Sequence, residues 1–346
     1  MDKVTMQEEF SEHNELYEHH RIVVDRGQSL ERIDKFLVHQ LSQFSRTRIQ
    51  AAAQAGNILV NDNPVKPSYK VKPQDVVSIV LPHPPQYIEL LPEDIPLDIV
   101  YEDDDLIILN KKAGMVVHPG HGNFSGTLIN ALLYHFRDLP LFQSGEMRPG
   151  LVHRIDKNTS GIMVVAKDEM ALNRLAKQFF DHTIDRRYNA LVWGEPSPPE
   201  GTITGHVGRN PRERTKMQVF PDGSAGRPAI THYNIIESFG YVSLVECRLE
   251  TGRTHQIRVH FQNFRHPLFN DAEYGGDKIL RGTTSASYRQ FVQNCFTLLP
   301  RQALHARSLE FRHPRTGKVM SFDSTLPADM QQVIEKWRDY TRARSQ

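Results

Sequence analysis

The chain has 346 residues, 39% of them hydrophobic, with 42 Lys and Arg against 41 Asp and Glu and a formal net charge of +1. That length allows two domains or one large one, and two cysteines, Cys247 and Cys295, exclude both a disulfide framework and a cysteine zinc cage. No run approaches the ~18 consecutive apolar residues of a membrane span, and the acidic start (Glu8, Glu9, Glu12) is unlike a targeting peptide, so the expectation is a cytoplasmic protein with no membrane partner.

Taken whole, a charge near zero argues against a nucleic-acid partner. By segment the picture changes: residues 1–20 carry −5, 21–85 carry +4, 86–105 carry −8 and 106–346 carry +10. The expected organisation is an acidic N-terminal arm (1–20), a small basic module (21–85), an acidic, proline-bearing linker (86–105) and a larger domain (106–346). The alternative for residues 86–105 is a solvated acidic loop within one continuous domain.

In the first module Leu30, Ile33, Leu37 and Leu41 recur at helical spacing after Gln28-Ser29, and a second helix fits Arg46 to Ala55, closed by Gly56. A strand at Ile58 to Val60, a turn at Asn61 to Pro64 and a strand at Val76 to Leu81 complete a helix-helix-strand-strand unit. Arg46, Arg48, Lys66, Lys70 and Lys72 surround it and are suited to tracking phosphates. From residue 106, strands fit Leu106–Leu109, Gly161–Ala166, Tyr188–Trp193, Ala229–Ile235, Val242–Leu249, Ala306–Phe311 and Val319–Phe322. Helices fit Leu128–Phe136 and Glu169–Asp181. Strands come partly in runs and partly between helices, which predicts an α+β fold with a mixed, largely antiparallel sheet.

Phosphate-loop, dinucleotide, zincin and serine-elbow patterns are absent, and the 17 histidines are scattered, so a metal site is not expected. Polar residues crowd the mouth of the apolar strand at 162–166, in the run His153-Arg154-Ile155-Asp156-Lys157-Asn158-Thr159-Ser160-Gly161. Asp156 is the one carboxylate there, and an ionised carboxylate in a cleft can act as nucleophile or base; it can equally shape the turn. In Gly252 to His260, Arg258 stands between Ile257 and Val259, and a partly buried arginine needs an acid partner, for which Asp156 is one candidate among several. Tyr188 begins a strand and can present its ring to a planar ligand.

The residues Arg32 to Leu37, Ser45 to Gln50, Gly56 and Val60-Asn61 resemble the RNA-binding domain named after ribosomal protein S4. His153 to Asp156 with Thr159-Ser160-Gly161, Arg187-Tyr188-Asn189-Ala190-Leu191-Val192, and Gly252 to His260 resemble, in order, the three motifs of the RluA-type RNA pseudouridine synthases. The likeness spans about residues 95 to 330 and is similar to members that modify large-subunit ribosomal RNA. It implies an isomerase that turns uridine into pseudouridine, with RNA (large-subunit ribosomal RNA or its assembly intermediate) as partner and no cofactor; the sequence does not read out an oligomeric state, and a monomer is the default expectation. It further implies that Asp156 is the essential aspartate, Arg258 its partner, Tyr188 the residue stacking on the target base, and Arg154 the side chain that fills the space of a flipped uridine. His153 and Arg253 join Arg154, Arg46, Arg48 and Lys66 as expected RNA contacts. The alternatives are a non-catalytic RNA-binding assembly factor, or transfer RNA as substrate. Four departures from the family pattern stand out: Ile155, Asn158, Asn270-Asp271, and a long stretch at 276–300 that reads as an insertion.

Overall fold

In a computed structural model the described residues are 17–41, 44–81, 90–119, 123–143, 149–213 and 215–344. The chain divides into two compact units, Met1–Ile88 and Glu89–Gln346.

The first unit comprises β1 (Tyr17–Val23), β2 (Glu31–Arg32), α1 (Ile33–Gln40), α2 (Arg46–Gln54), β3 (Ile58–Val60), β4 (Asn63–Pro64), β5 (Lys70–Val71) and β6 (Val76–Leu81). Ile33, Phe36 and Leu37 of α1 and Ile49 and Ala53 of α2 pack on Ile58, Val60, Val77 and Ile79. Two expectations need correction. Leu30 is 64% exposed and lies outside the helix, because residues 31–32 are drawn into strand pairing with β5. Residues 17–20, assigned to a free acidic arm, belong to β1, which pairs antiparallel with β6 and is tied to it by Ser78 Oγ donating to Glu18 at 2.7 Å. Residues 1–16 lie outside the described part.

The second unit comprises β7 (Ile99–Glu102), β8 (Leu106–Lys111), α3 (Leu128–His135), α4 (Pro140–Gln143), β9 (Ser160–Ala166), α5 (Glu169–Phe180), β10 (Asp185–Trp193), β11 (Glu200–Arg209), β12 (Met217–Phe220), β13 (Arg227–Ser238), β14 (Val242–Leu249), α6 (Gln256–Asn263), α7 (Ala286–Leu298), β15 (Leu304–Arg312), β16 (Val319–Asp323) and α8 (Ala328–Arg344). The strands form one sheet in the order β12-β11-β13-β14-β10-β15-β9-β8-β7, with β16 also on β15. Among the described residues its one parallel pairing is β9 with β15, so the sheet is mixed and largely antiparallel, in an α+β fold. No helix among the described residues is long and apolar enough to cross a membrane.

Side chains alternate across a strand, and in the central strands β8, β9 and β10 both faces are covered. Ile107, Leu109, Met163, Val165, Ala190 and Val192 face α3 and α6. Leu106, Ile108, Ile162 and Val164 face α5, while Leu191 and Trp193 meet α7 and α8. Double coverage explains why β9 reads as an unbroken apolar run. The stretch 276–300, expected to be an insertion, contributes Tyr288, Val292, Cys295 and Phe296 to the core around Trp193 and Trp337.

The acidic segment 86–105 is not a linker from residue 90 onward. Asn130 Nδ2 donates to Leu91 O (2.8 Å), Gly126 N donates to Glu93 (3.0 Å), and β7 pairs with β8. Part of its charge is neutralised by bases distant in sequence: Glu102 meets Lys167 at 2.9 Å and Asp105 meets Arg315 at 2.8 Å. Asp103, Asp105 and His313 have the spacing of metal ligands. However, His313 Nδ1 accepts backbone N–H groups of Arg315 and Thr316, leaving Nε2 to donate to Asp103 at 3.0 Å, and Arg315 already supplies the positive charge.

Gly161 joins β9 to β15. Its φ is +122°, and a Cβ there would collide with the backbone of Ala306. Gly161→Ala is therefore expected to destabilise the second unit by roughly 3 kcal/mol or more. Gly114→Ala, also at positive φ but with open space around it, should cost about 1–2 kcal/mol; urea unfolding midpoints distinguish the two.

Candidate active site

Asp156 sits in the turn that leads into β9, with Thr159 N donating to its carbonyl at 3.1 Å. Buried groups hold that turn by its backbone. Lys111, 1% exposed at the end of β8, donates from Nζ to the carbonyls of Lys112 (2.9 Å), Met115 (2.9 Å) and Lys157 (3.0 Å). Three acceptors match the three N–H donors of an ammonium. Burial pulls Lys111 down to about 7, against the attraction of Asp156. Arg301, itself clamped by Asp329 at 2.7 and 2.9 Å, donates to Asn158 O at 3.0 Å, and Gln302 reaches Thr159 Oγ1 at 3.4 Å. Ser160 and Ser324 contact the two ring nitrogens of His305 at 2.9 and 2.8 Å.

The cavity beside this turn holds about 560 Å³ and is lined by Asp156, Tyr188, Arg258, His255, Phe179 and Phe180 among others. Asp156 is the sole carboxylate among the described lining residues, which also include Arg154, Arg186, Arg227 and Arg253. Arg258, on α6 and 5% exposed, directs Nη1 to Asp156 Oδ2 at 3.4 Å. Its shorter bonds go elsewhere: Nε and Nη2 bind Asp271 at 2.7 and 2.8 Å, and Nη2 binds Glu273 at 2.7 Å. Burial alone would favour the neutral guanidine, but Asp271, Asp156 and Glu273 outweigh it and raise the pKa well above the usual arginine value. Tyr274 lies beneath the guanidinium, 4.8 Å from ring centroid to Cζ. The Tyr274 hydroxyl accepts from Met217 N (3.0 Å) and lies 2.8 Å from His255 Nδ1, while His255 Nε2 stands 3.8 Å from Asp156 Oδ1. Burial lowers the His255 pKa, partly countered by Asp156. Tyr188, on β10 between Cys247 and Ala306, is buried, and burial raises the pKa of its phenol.

The expected site residues fall into two groups. Asp156, Tyr188, Arg258, Arg154, His153 and Arg253 share the cavity, whereas Arg46, Arg48 and Lys66 belong to the first unit. His153 is not available as a cation: its Nε2 accepts Val164 N at 3.1 Å, its ring stacks on Phe179 at 4.7 Å, and burial beside Arg186 takes its pKa down to about 3. Arg154 pairs with His118 Nε2 at 3.1 Å, and Arg253 Nε donates to Pro228 O at 3.1 Å. Arg46 is bound to the buried Asp34, as are Arg32 and Gln50 (2.6 Å), and these bonds overcome burial to hold the Asp34 carboxyl well below its usual range. Arg48 and Lys66 are exposed. Sequence reasoning assigned no site role to Asp271, Glu273, Tyr274 or Lys111. The signal for Asp271 was the buried arginine itself, one of whose partners had to lie in an acid-bearing loop.

Asp271→Ala leaves a buried guanidinium with Glu273 and a weakly held Asp156, so a stability loss of about 3–5 kcal/mol is expected by denaturant unfolding. A second expectation concerns pH. Burial takes His305 from its ordinary 6.5 down to about 4, so between those values the unfolded chain binds a proton that the folded protein refuses. Stability is then complete above pH 6.5 and falls as pH drops toward 4, by on the order of 3 kcal/mol. His305→Gln should flatten this part of the stability profile.

The RNA pseudouridylate synthase family pattern matches residues 105–263, and the S4 domain pattern matches 31–77. A Chlorobaculum parvum protein named as an uncharacterized RNA pseudouridine synthase is 46% identical over 317 residues, covering 91% of this chain and 96% of its own length. The ribosomal large subunit pseudouridine synthase D of Zymomonas mobilis is 44% identical, covering 88% of this chain and 93% of its own. The solved structure of human RNA pseudouridylate synthase domain containing 4 shares the fold, with a TM-score of 0.54 at 23% identity, over 69% of this chain and 92% of that one. With Asp156, Tyr188 and Arg258 around one cavity, an S4 domain ahead of it and relatives matched over nearly their full length, this chain belongs to the RNA pseudouridine synthases, as an RluA-type isomerase with an N-terminal S4 domain.

Proposed function

We propose that the substrate is large-subunit ribosomal RNA and that Asp156 is the group that acts on its target uridine. The observation that carries the reading is the position of Asp156 as the sole carboxylate among the described residues lining an otherwise basic cavity. Asp156 either bonds to C1′ as the N1–C1′ bond breaks, and is displaced again when C5 attacks C1′, or removes the C2′ proton as uracil departs and returns it when the C5–C1′ bond forms. In both cases uracil leaves as an anion and turns, C5 bonds to C1′, the C5 proton passes to solvent and N1 takes one up. Arg258 steadies the carboxylate from 3.4 Å without saturating it, since the closest bonds of the guanidinium go to Asp271 and Glu273. Tyr188 stacks on the target base, which reaches the cavity only when flipped out of its helix, at a cost of a few kcal/mol. Arg154, exposed at the rim, takes the space the base leaves. Arg253 in the cavity and Arg48 and Lys66 of the S4 domain contact phosphates. Relatives named for the large ribosomal subunit support the choice of RNA. The protein works in the cytoplasm as a monomer.

Asp156→Asn should lower tritium release from C5-labelled uridine in ribosomal RNA by roughly 10³-fold or more, with RNA affinity within about threefold, because it removes a reacting group and no positive charge. Pseudouridine mapping in a deletion strain tests the substrate. Sites lost from large-subunit RNA and restored by wild type but not by Asp156→Asn support it; sites lost only from transfer RNA refute it.

A further inference from the structure

Phe180 ends α5 with 82% of its surface exposed, and it lines the mouth of the active-site cavity. Adjacent helix positions are rotated by about 100°, so its neighbour Phe179 turns inward. Phe179 stacks on His153 at 4.7 Å and carries the Arg186 guanidinium at 5.4 Å. Phe180 belongs to no apolar cluster and has no ring or cation stacked on it among the described residues. A single exposed phenylalanine on a surface is ordinary. This one borders a cavity whose lining includes Arg154, Arg186, Arg227 and Arg253.

Arg186 adds an independent observation. It is 8% exposed and lines the same cavity. One of its nitrogens, Nη2, donates to Glu250 O at 3.3 Å, but Nε donates to no protein atom among the described residues. A buried guanidinium N–H without an acceptor costs free energy unless a bound group supplies one. An exposed aromatic face beside cationic donors is the chemistry that recognises an unpaired base and its phosphate, since every base has a π-face and stacking tolerates sequence.

We infer that Phe180, at the mouth of the arginine-lined cavity, forms a stacking subsite for an unpaired nucleobase neighbouring the target uridine. The inference rests on the cavity being the seat of a flipped uridine. Flipping unstacks the neighbouring nucleotides, and the subsite holds one of them outside the helix, which returns part of the flipping cost. It contributes to binding and positioning, not to bond making.

The test compares wild type, Phe180→Ala and Phe180→Trp on an in vitro transcript of the large-subunit RNA segment bearing the mapped uridine. Phe180→Ala is expected to raise Kd and KM by about 5- to 150-fold, equivalent to roughly 1–3 kcal/mol. It should leave kcat within about twofold and the salt dependence of Kd unchanged, because a neutral ring releases no counterions. Phe180→Trp should restore affinity. Trp193 and Trp337 are both buried, so the new indole is the exposed reporter, and its emission should change when RNA saturates the protein. Wild-type Kd for Phe180→Ala, or an indole emission indifferent to bound RNA, overturns the subsite. So does an affinity loss that comes with a lowered unfolding midpoint, which marks a packing role. Wild-type protein that binds this transcript yet releases no tritium would refute the proposed activity, while Kd and indole emission still decide the subsite.

Discussion

The burial of one guanidinium organises the second unit. Taking Arg258 out of water is costly, and the attraction of nearby carboxylates repays it only when the geometry is tight. Asp271 meets that demand with two bonds under 3 Å, so the loop that carries it must be held as firmly as α6. Asn270 adopts φ +56° and anchors the loop by donating to the carbonyls of Phe296 and Leu299. Trp193 Nε1 donates to Gly276 O at 2.8 Å from the core strand β10. The core around α7 and α8 therefore reaches the cavity through this loop, which is why the stretch after residue 276 is part of the fold. A similar logic holds Asp156 from the opposite side, where Lys111 and Arg301 grip the carbonyls of the two residues that follow it.

The basic residues divide by task. Arg258, Arg301, Arg315 and Lys111 are spent on carboxylates and carbonyls inside the protein. Arg154, Arg186, Arg227 and Arg253 line the cavity, where an RNA backbone would meet them. The +10 of residues 106–346 overstates the charge offered to RNA, because part of it neutralises the −8 of the preceding segment. Two long-range pairs, Lys167 with Glu102 and Arg315 with Asp105, show that the segregation of charge along the chain is undone in space.

Much of the fold was legible from local pattern. The apolar runs at 106–109, 161–166, 188–193 and 242–249 became strands because a sheet covered on both faces requires them to be apolar throughout. What escaped were elements whose signal is not local. The polar strand β1 exists only because β6 lies beside it, and the helix expected from Leu30 gave up its first residues to pairing with a strand 40 positions later. The core role of α7, in the stretch expected to be an insertion, was not legible because its partners, Trp193 and Trp337, lie far from it along the chain.

The sequence by itself determined the family, the S4 module ahead of the larger domain, and the residue types the chemistry needs, because those depend on contiguous motifs: His153 to Asp156, Tyr188 in its strand, Arg258 in its helix. Tertiary structure decided how each of them is used. It gave the strongest bonds of Arg258 to Asp271 and Glu273, made His153 a neutral acceptor within the fold, turned acids near residue 103 into internal ion pairs, and left Phe180 facing solvent at the cavity mouth. A motif specifies which groups are present. Their partners, burial and hence charge state come from residues as far as 145 positions away, and only packing brings those into contact.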